Sequence, residues 1–409
     1  MNSNQWKKYK LEEVSEIIGG GTPSTTNPDF WGEEIPWITP RDLASTDERF
    51  ISCGERCITK KGLQNSSARL LPAGTVLLTT RAPIGYLRIA LNPICTNQGF
   101  KSLIPKADVV DNQFLFYLLK NNVEYLKSVG VGTTFAEISG STLRQIEFPF
   151  PPLPVQRRIA DILSALDDKI ELNRQTNATL EAIAQAIFKE WFVDFNFPGA
   201  TGELVESELG MIPKGWMVDT ILAVADLLSG GTPSTKITEY WNGDIKWISA
   251  KDVSNSSGTF ILDTERNITR LGVKNSSTKI LPKLTTIVTA RGTVGSYCIL
   301  SEPMAMNQTN YGLKAKEQES DYFVFFSLAN LVAQLKQASY GTIFDTVTTT
   351  TFEKSKIIIP PFFIIQKFDR LVKPIMETIL GNIEQSKSLS KIRDSILPKL
   401  MNGEINFSN

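Results

Sequence analysis

Apolar residues recur at alternating steps of four and three along one stretch: Ile159, Leu163, Leu166, Ile170, Asn173, Asn177, Leu180, Ala184, Ile187 and Trp191. That spacing is the seam of a long coiled-coil helix. The ladder starts behind a run of prolines (Pro149, Pro151, Pro152, Pro154), and it returns 209 residues later as Phe368, Val372, Ile375, Ile379, Asn382, Ser386, Leu389, Arg393, Ile396 and Leu400, behind Pro360 and Pro361. Each ladder covers roughly 50 Å of helix at the α-helical rise. If the two pair antiparallel with Ile159 opposite Leu400, Asn177 falls opposite Asn382 and Asn173 opposite Ser386. A lone polar layer in an apolar seam costs stability and fixes register. The pattern therefore predicts a paired rod holding two bodies apart, in preference to two amphipathic helices packed on separate cores. Pro374 lies well inside the second ladder and predicts a kink or a late start there.

The remainder of the chain is one unit written twice. Residues 20–43 match 230–253 in 11 of 24 positions at a shift of 210 without a gap, and residues 58–72 match 268–282 in 8 of 15. Gly20-Gly21-Thr22-Pro23-Ser24-Thr25 returns as Gly230 to Thr235, and Trp31, Trp37 and Asp42 return as Trp241, Trp247 and Asp252. Such agreement marks an internal duplication, here of a unit too large for a solenoid. Short apolar runs bounded by Gly or Pro predict strands at Val76 to Thr80 and Thr286 to Ala290, and last strands at Glu147 to Phe150 and Lys356 to Ile359. Phe114 to Lys127 and Tyr322 to Lys336 have helical periodicity. The expected fold is α+β: a β-rich domain at 1–150, a long helix in 151–196, a Gly/Pro-rich linker at 197–215, a second β-rich domain at 216–360 and a second long helix in 361–409.

Composition narrows the function. Of 409 residues, 42% are hydrophobic and 21% charged, which describes a globular chain with room for two or more cores. No run of 18 apolar residues occurs and residues 1–10 lack a signal-type apolar stretch, so a cytoplasmic protein is expected. Histidine is absent, which removes the commonest general base and any Ser-His-Asp or Cys-His arrangement. Cys53, Cys57, Cys95 and Cys298 form no disulfide framework, and without histidine no metal site is expected. The zero net charge is not that of a protein that grips phosphates unaided.

Several loops could carry recognition. Gly19 to Ser24 lacks the Gly-Lys-Ser/Thr ending of a P-loop and the spacing of a dinucleotide fingerprint. Its Gly21, Thr22 and Ser24, repeated as Thr232 and Ser234, suit either a turn or a backbone approach to a DNA phosphate. Asn27-Pro28-Asp29-Phe30 has only a partial likeness to the Asn-Pro-Pro-Tyr/Phe motif of amino-methyltransferases, and the second copy loses it. Arg81 and Arg291 stand where a strand enters a loop, suited to a phosphate or a guanine edge, or else to an internal carboxylate such as Asp42 or Asp252. Asn97, Gln98, Asn307 and Gln308 suit adenine or local loop bonding; Thr133, Thr134 and Thr342 are further loop candidates. Positions that differ between the copies could read different bases: Arg41 and Lys251, Arg69 and Lys279, Arg88 and Cys298, Lys101 and Tyr311.

Two globular units, each followed by a Pro-Pro stretch, a Gln (Gln156, Gln366) and a long helix, with Leu209-Gly-Met-Ile-Pro-Lys-Gly-Trp216 opening the second unit, give the whole chain a resemblance to the specificity (S) subunit of type I restriction-modification systems. The resemblance implies a non-catalytic chain whose two recognition domains each bind one half of a split double-stranded DNA target. It also implies that the helices set the gap and dock methyltransferase subunits, two per chain, with restriction subunits joining through the complex. S-adenosylmethionine, ATP and magnesium would then belong to the partner subunits and no cofactor to this chain. The alternatives are a two-domain scaffold for protein partners and an autonomous adenine methyltransferase; the missing cofactor motifs oppose the latter.

Overall fold

A computed structural model of the chain describes residues 6–44, 48–132, 136–256, 258–338 and 346–405. They fall into two units, Met1–Glu171 with Lys387–Asn409, and Leu172–Ser386. The two long helices, Leu153–Phe192 and Phe362–Met401, each contribute one part to each unit.

In the first unit a five-stranded sheet runs in the order Ser15–Gly19, Phe100–Pro105, Val76–Thr80, Ile84–Ala90, Phe50–Ile51. Its pairs are antiparallel except the last, which is parallel. Val76–Thr80 is buried at every residue because it is the middle strand, which is why its sequence is an unbroken apolar and threonine run. A four-stranded sheet, Trp31–Gly32, Arg56–Ile58, Ile35–Ile38, Cys95–Thr96, carries the loops considered below. Lys7–Lys10 pairs with Glu147–Phe150. The expected helix from Phe114 to Lys127 is two helices, Asn112–Asn121 and Val123–Ser128. They part at Asn122, whose Nδ2 donates to the Leu118 carbonyl at 2.7 Å and so competes with the helical ladder. Phe114, Tyr117 and Leu118 share one core with Ile159 and Leu163 of the first long helix and with Leu397 and Leu400 of the second.

A polar cluster ties that core together. The Arg393 Nη1 donates to Asp167 Oδ1 at 2.5 Å, the Tyr117 hydroxyl to Asp167 Oδ2 at 2.6 Å, Arg49 Nη1 to the Tyr117 oxygen at 3.0 Å, and Arg49 Nη2 to Asp168 at 2.5 Å. Burial, then the Asp167 charge, holds the Tyr117 phenol well above its usual range.

The second unit repeats the plan. Its five-stranded sheet runs Ala225–Ser229, Asn310–Ala315, Thr286–Thr289, Tyr297–Leu300, Phe260–Ile261, and its four-stranded sheet Arg266–Ile268, Trp241–Ile248, Met304–Met306, Ile280–Leu281. Met217–Thr220 pairs with Lys356–Ile359. The helix Asp321–Ala338 is continuous. Here the shared core is aromatic: Phe188 and Phe192 of the first long helix pack on Phe323, Phe326 and Phe368 with ring centroids 5.0–6.2 Å apart.

The polar layers of the seam meet in this unit. Asn173, 2% exposed, donates to Ser386 Oγ at 3.1 Å and to Gln385 Oε1 at 2.9 Å. Asn382 Nδ2 donates to Asn177 Oδ1 at 2.8 Å, and Asn177 Nδ2 to the Ile379 carbonyl at 3.2 Å. As one number rises the other falls, so the segments run antiparallel. The late start considered for Pro374 does not occur, and the linker segment has structure of its own. The second long helix begins at Phe362 and continues through Pro374 without a break. The segment expected as a linker holds a hairpin, Leu204–Ser207 with Gly210–Pro213, its turn made by Gly210 at φ +94.

The units cap equivalent helices differently. In the first, Asp111 accepts from the N–H groups of Gln113 and Phe114, both at 3.0 Å. In the second, Asp369 of the long helix accepts from Tyr322 and Phe323 at 3.1 and 2.8 Å. Burial raises the Asp369 carboxyl to about 7, against the lowering effect of those two N–H groups. A folded-state pKa raised above the unfolded value near 3.9 means that unfolding releases a proton between the two. Stability is therefore greatest at the acid end of that window and falls as pH rises through it, by up to ~1.4 kcal/mol per unit. Asp369→Asn should flatten this slope, its unfolding midpoint gaining on the parent's from pH 4 to pH 8; a constant difference would show that Asp369 does not titrate there.

The polar cluster of the first unit gives a second expectation. Arg393→Ala strands the Asp167 carboxylate, whose side chain is 12% exposed, and should cost about 3–5 kcal/mol. Adding Asp167→Met, the residue at the equivalent Met376, should recover part of that loss in denaturant unfolding. Equal losses in the single and double variants would mean that the stranded carboxylate is not the source of the cost.

Candidate functional site

The duplicated Gly-Gly-Thr-Pro-Ser segment is held identically in both units. Gly21 N donates to the Thr96 carbonyl at 2.9 Å, and the Gly21 carbonyl accepts from Trp37 Nε1 at 2.9 Å. Three residues on, the Ser24 carbonyl accepts from Trp31 Nε1 at 3.0 Å. In the second unit Gly231, Met306, Trp247, Ser234 and Trp241 make the same bonds. The two indoles meet edge to face at 5.0 Å in one unit and 5.1 Å in the other. A guanidinium covers the outer one, Arg56 over Trp31 at 3.4 Å and Arg266 over Trp241 at 3.5 Å, a cation–π contact that fixes the pair.

This geometry explains the glycines. A Cβ on Gly20 would stand 1.9 Å from the Asn97 carbonyl, and one on Gly21 2.4 Å from the Ala68 nitrogen. Gly230 and Gly231 meet Asn307 and Thr278 in the same way. The close backbone approach that the Gly-Gly pair serves is therefore to the protein's own chain. Thr22 donates to Gln98 Oε1 and Thr232 to Gln308 Oε1, while Ser24 and Ser234 are exposed. Asn97 and Asn307 are turn residues, their Oδ1 atoms accepting from Gly99 N at 2.9 Å and Thr309 N at 3.1 Å.

The charged candidates separate into three kinds. Arg88 is 8% exposed and donates to the carbonyls of Leu87 and Leu43 at 2.7 and 2.9 Å. Its counterpart Cys298 is fully buried, its thiol pushed up to about 12 by that burial. The expectation that this pair could read bases is thus corrected: both belong to the core. Arg81 pairs with Glu137 at 3.7 Å, and Lys101 with the same carboxylate at 3.9 Å. Asp42, expected as a possible partner of Arg81, instead accepts from Thr39 N at 2.7 Å and Glu55 N at 2.8 Å, and Asp252 does the same for Ser249 and Glu265.

In the second unit Ile138 and Thr80 correspond to Val347 and Ala290, which share the same backbone bond, so Thr346 stands where Glu137 does. Arg291 is exposed without an ion-pair partner among the described residues. Tyr311, at the place of Lys101, packs on Phe352 at 5.5 Å. Arg69 and Lys279 are likewise exposed and unpaired among the described residues. Arg41 and Lys251 are exposed with carboxylates near them, Glu55 at 4.0 Å and Glu265 at 2.8 Å; the hydrogen bond to Glu265 raises the Lys251 pKa. Thr133, Thr134 and Thr342 lie outside the described residues.

Sequence reasoning missed the Glu137 bridge, the Arg56 and Arg266 stacks and the Arg49–Tyr117–Asp167–Arg393 cluster. For the last a signal existed: Arg393 occupies a seam position, and a charge there needs a partner across the seam. Among the described residues no group of acidic or sulfur side chains could hold a metal ion, and no helix is long and apolar enough to cross a membrane.

Comparison with known proteins accords with this duplicated arrangement. The family model described as the type I restriction modification DNA specificity domain matches residues 3–182 and 213–385. The chain is 38% identical over 98% of its length to the type I restriction enzyme MjaIX specificity subunit of Methanocaldococcus jannaschii, covering 93% of that protein. It is 28% identical to the HindI specificity subunit of Haemophilus influenzae, covering 98% of this chain and 100% of that one. The crystal structure of a type I restriction-modification S subunit from M. genitalium shares the fold, with a TM-score of 0.60 at 16% identity over 97% of this chain and 96% of that one.

Gly21→Ala and Gly231→Ala should each destabilise the protein by about 1–3 kcal/mol, the usual cost of forcing an atom into a packed site. Thr22→Ala, which loses a bond at the surface, should cost under about 1 kcal/mol. If Gly21→Ala unfolds in denaturant like the parent yet loses ligand binding, the glycine serves a ligand and not the packing.

Proposed function

The chain belongs to the type I restriction-modification DNA specificity family, and from that membership we propose that it is the non-catalytic specificity component of a type I complex in the cytoplasm. Residues 1–150 and 216–360 each read one half of an asymmetric, bipartite double-stranded DNA target. One observation carries this reading: the family's domain occurs twice on one fold, with the Gly-Gly/Trp frame and its covering arginines Arg56 and Arg266 repeated, while other exposed cations, Arg41 and Arg69 against Lys251 and Lys279, change. A shared frame presents the loops, and unshared side chains give each unit its own half-site.

Exposure and pairing rank the candidates. Arg69, Lys279 and Arg291, exposed and free of carboxylates among the described residues, can contact phosphate or a base edge with no internal bond to break. Arg41, Lys251, Arg81 and Lys101 would exchange an ion pair for a DNA contact. Gln98 and Gln308, exposed and among the described residues bonded through Oε1, can offer an amide donor to a base edge. Zero net charge leaves little long-range attraction for DNA, which supports a chain that binds tightly only beside its partners. We assign S-adenosylmethionine chemistry to two methyltransferase subunits docked on the long helices, and ATP and magnesium to restriction subunits.

Lys279→Ala and Arg69→Ala, tested in the complex with the cognate methyltransferase, should each weaken binding about 10–100-fold if the side chain meets a base edge, equivalent to ~1–3 kcal/mol, and relax one half of the methylated motif only. A phosphate role would instead weaken all sequences alike and lower the salt slope by about 1. Normal binding with an unchanged motif in both variants would remove these residues from the interface. A motif unchanged when residues 1–150 are exchanged for another recognition domain would favour the protein scaffold.

A further inference from the structure

The two units fill one equivalent place differently. In the first, the Arg49 guanidinium is buried between Tyr117 and Asp168, bonded to both, with the Phe50 ring 4.7 Å away. The repeat puts Thr259 where Arg49 stands, Phe326 for Tyr117 and Ala184 for Arg393. Beside Thr259 a cavity of about 200 Å³ opens, lined among others by Glu181, Tyr297, Phe325, Phe326 and Met376. A water molecule's share of liquid volume is about 30 Å³, so the space takes a group of several heavy atoms.

The lining selects charge and shape. Glu181 Oε1 accepts from Thr259 N at 3.2 Å and Thr259 Oγ1 at 2.5 Å, which fixes the carboxylate; its Oε2 has no partner among the described residues. Tyr297 and Phe325 meet edge to face at 5.6 Å, and Phe325 and Phe326 at 5.1 Å. A purely apolar occupant would leave the carboxylate oxygen unmatched, and an anion would be repelled by it. Aromatic faces attract cations, and a planar guanidinium stacks on them at a lower dehydration cost than an ammonium.

We propose that this cavity binds a guanidinium group, which takes in the second unit the place that the chain's own Arg49 fills in the first. Two sources share that chemistry, an arginine side chain of a docked protein subunit and a free guanidino compound. The test uses the full chain labelled at its methionine methyls, with Met376 as the reporter in the cavity wall. Methylguanidinium at millimolar concentration should shift the Met376 signal saturably, and neutral methylurea should not. Glu181→Gln should weaken this binding at least tenfold, and Thr259→Arg, which supplies the group internally, should abolish it. The remaining methionine signals report whether each variant is folded; should Thr259→Arg fail to fold, Glu181→Gln decides. Equal responses to methylguanidinium and methylurea, no saturable shift, or binding unchanged in Glu181→Gln would overturn the proposal. If a partner's arginine is the occupant, the same variants also weaken assembly with the methyltransferase subunit. If a free compound is, assembly is unaffected and only the methylguanidinium response is lost.

Discussion

Everything in this chain depends on burying two seams that lie 209 residues apart. Neither long helix can hide its own apolar stripe, and isolated helices gain little from propensity alone. Each must find the other, and in each unit it must also find a globular part: Ile159 and Leu163 share a core with Phe114 and Leu400, and Phe188 with Phe326 and Phe368. The first unit is for this reason discontinuous in sequence, and each unit draws on both helices. The asparagine layer belongs to the same constraint. The Nδ2 of buried Asn173 donates to Ser386, Gln385 and the Asn382 carbonyl, so a slipped register would leave a polar group unpaired in the seam, at a cost of about 1–3 kcal/mol.

Duplication lets the two cores be compared at matched positions. Where the first unit places Arg49, Tyr117, Asp167 and Arg393 in one hydrogen-bonded cluster, the second has Thr259, Phe326, Met376 and Ala184. In the polar solution Arg393 and Asp167 depend on each other, since removing the guanidinium leaves a buried carboxylate without its cation. The aromatic solution tolerates loss of a contact but is set by shape, and the small Thr259 in the place of Arg49 borders the open space beside it. Helix capping diverged in the same way, from a local Asp111 to Asp369, which reaches from the long helix. Divergence in the interior thus proceeds by exchanging whole sets of partners, as packing at crystal-like density requires.

The fold was largely legible because its signals are periodic. Steps of four and three, a shift of 210 and proline boundaries survive without knowledge of any contact. The antiparallel layers followed because Asn and Ser at seam positions have few ways to be satisfied. The candidate site was legible only in part. Arg88 and Arg69 look alike in sequence, each a basic residue near a strand; one is wrapped by two carbonyls and the other is exposed. Exposure is decided by which strands become neighbours, and no local pattern carries that. The path of the second long helix through Pro374 is another case: a proline removes one ladder bond, and the packing of Val372 and Met376 on either side of it outweighs that loss.

The separation of frame from reader follows from these particulars. Residues repeated in both copies, Gly21 and Gly231 or Trp37 and Trp247, are buried against backbone, so a change in them alters folding before it alters recognition. Among residues that differ, burial divides them again. Arg88 and Cys298 differ inside the core and record compensation, while Arg69 and Lys279 differ at the surface, where no packing constrains the choice. Glu137 adds a further level: with it, Arg81 and Lys101 share one carboxylate, and with Thr346 in its place Arg291 has none among the described residues. Among the described residues, two loops built on one frame therefore differ in electrostatics, one arginine tethered to a carboxylate and one not, and a single acidic side chain accompanies the difference. A chain built this way can change what one half presents to a ligand without disturbing the core beneath it or the other half.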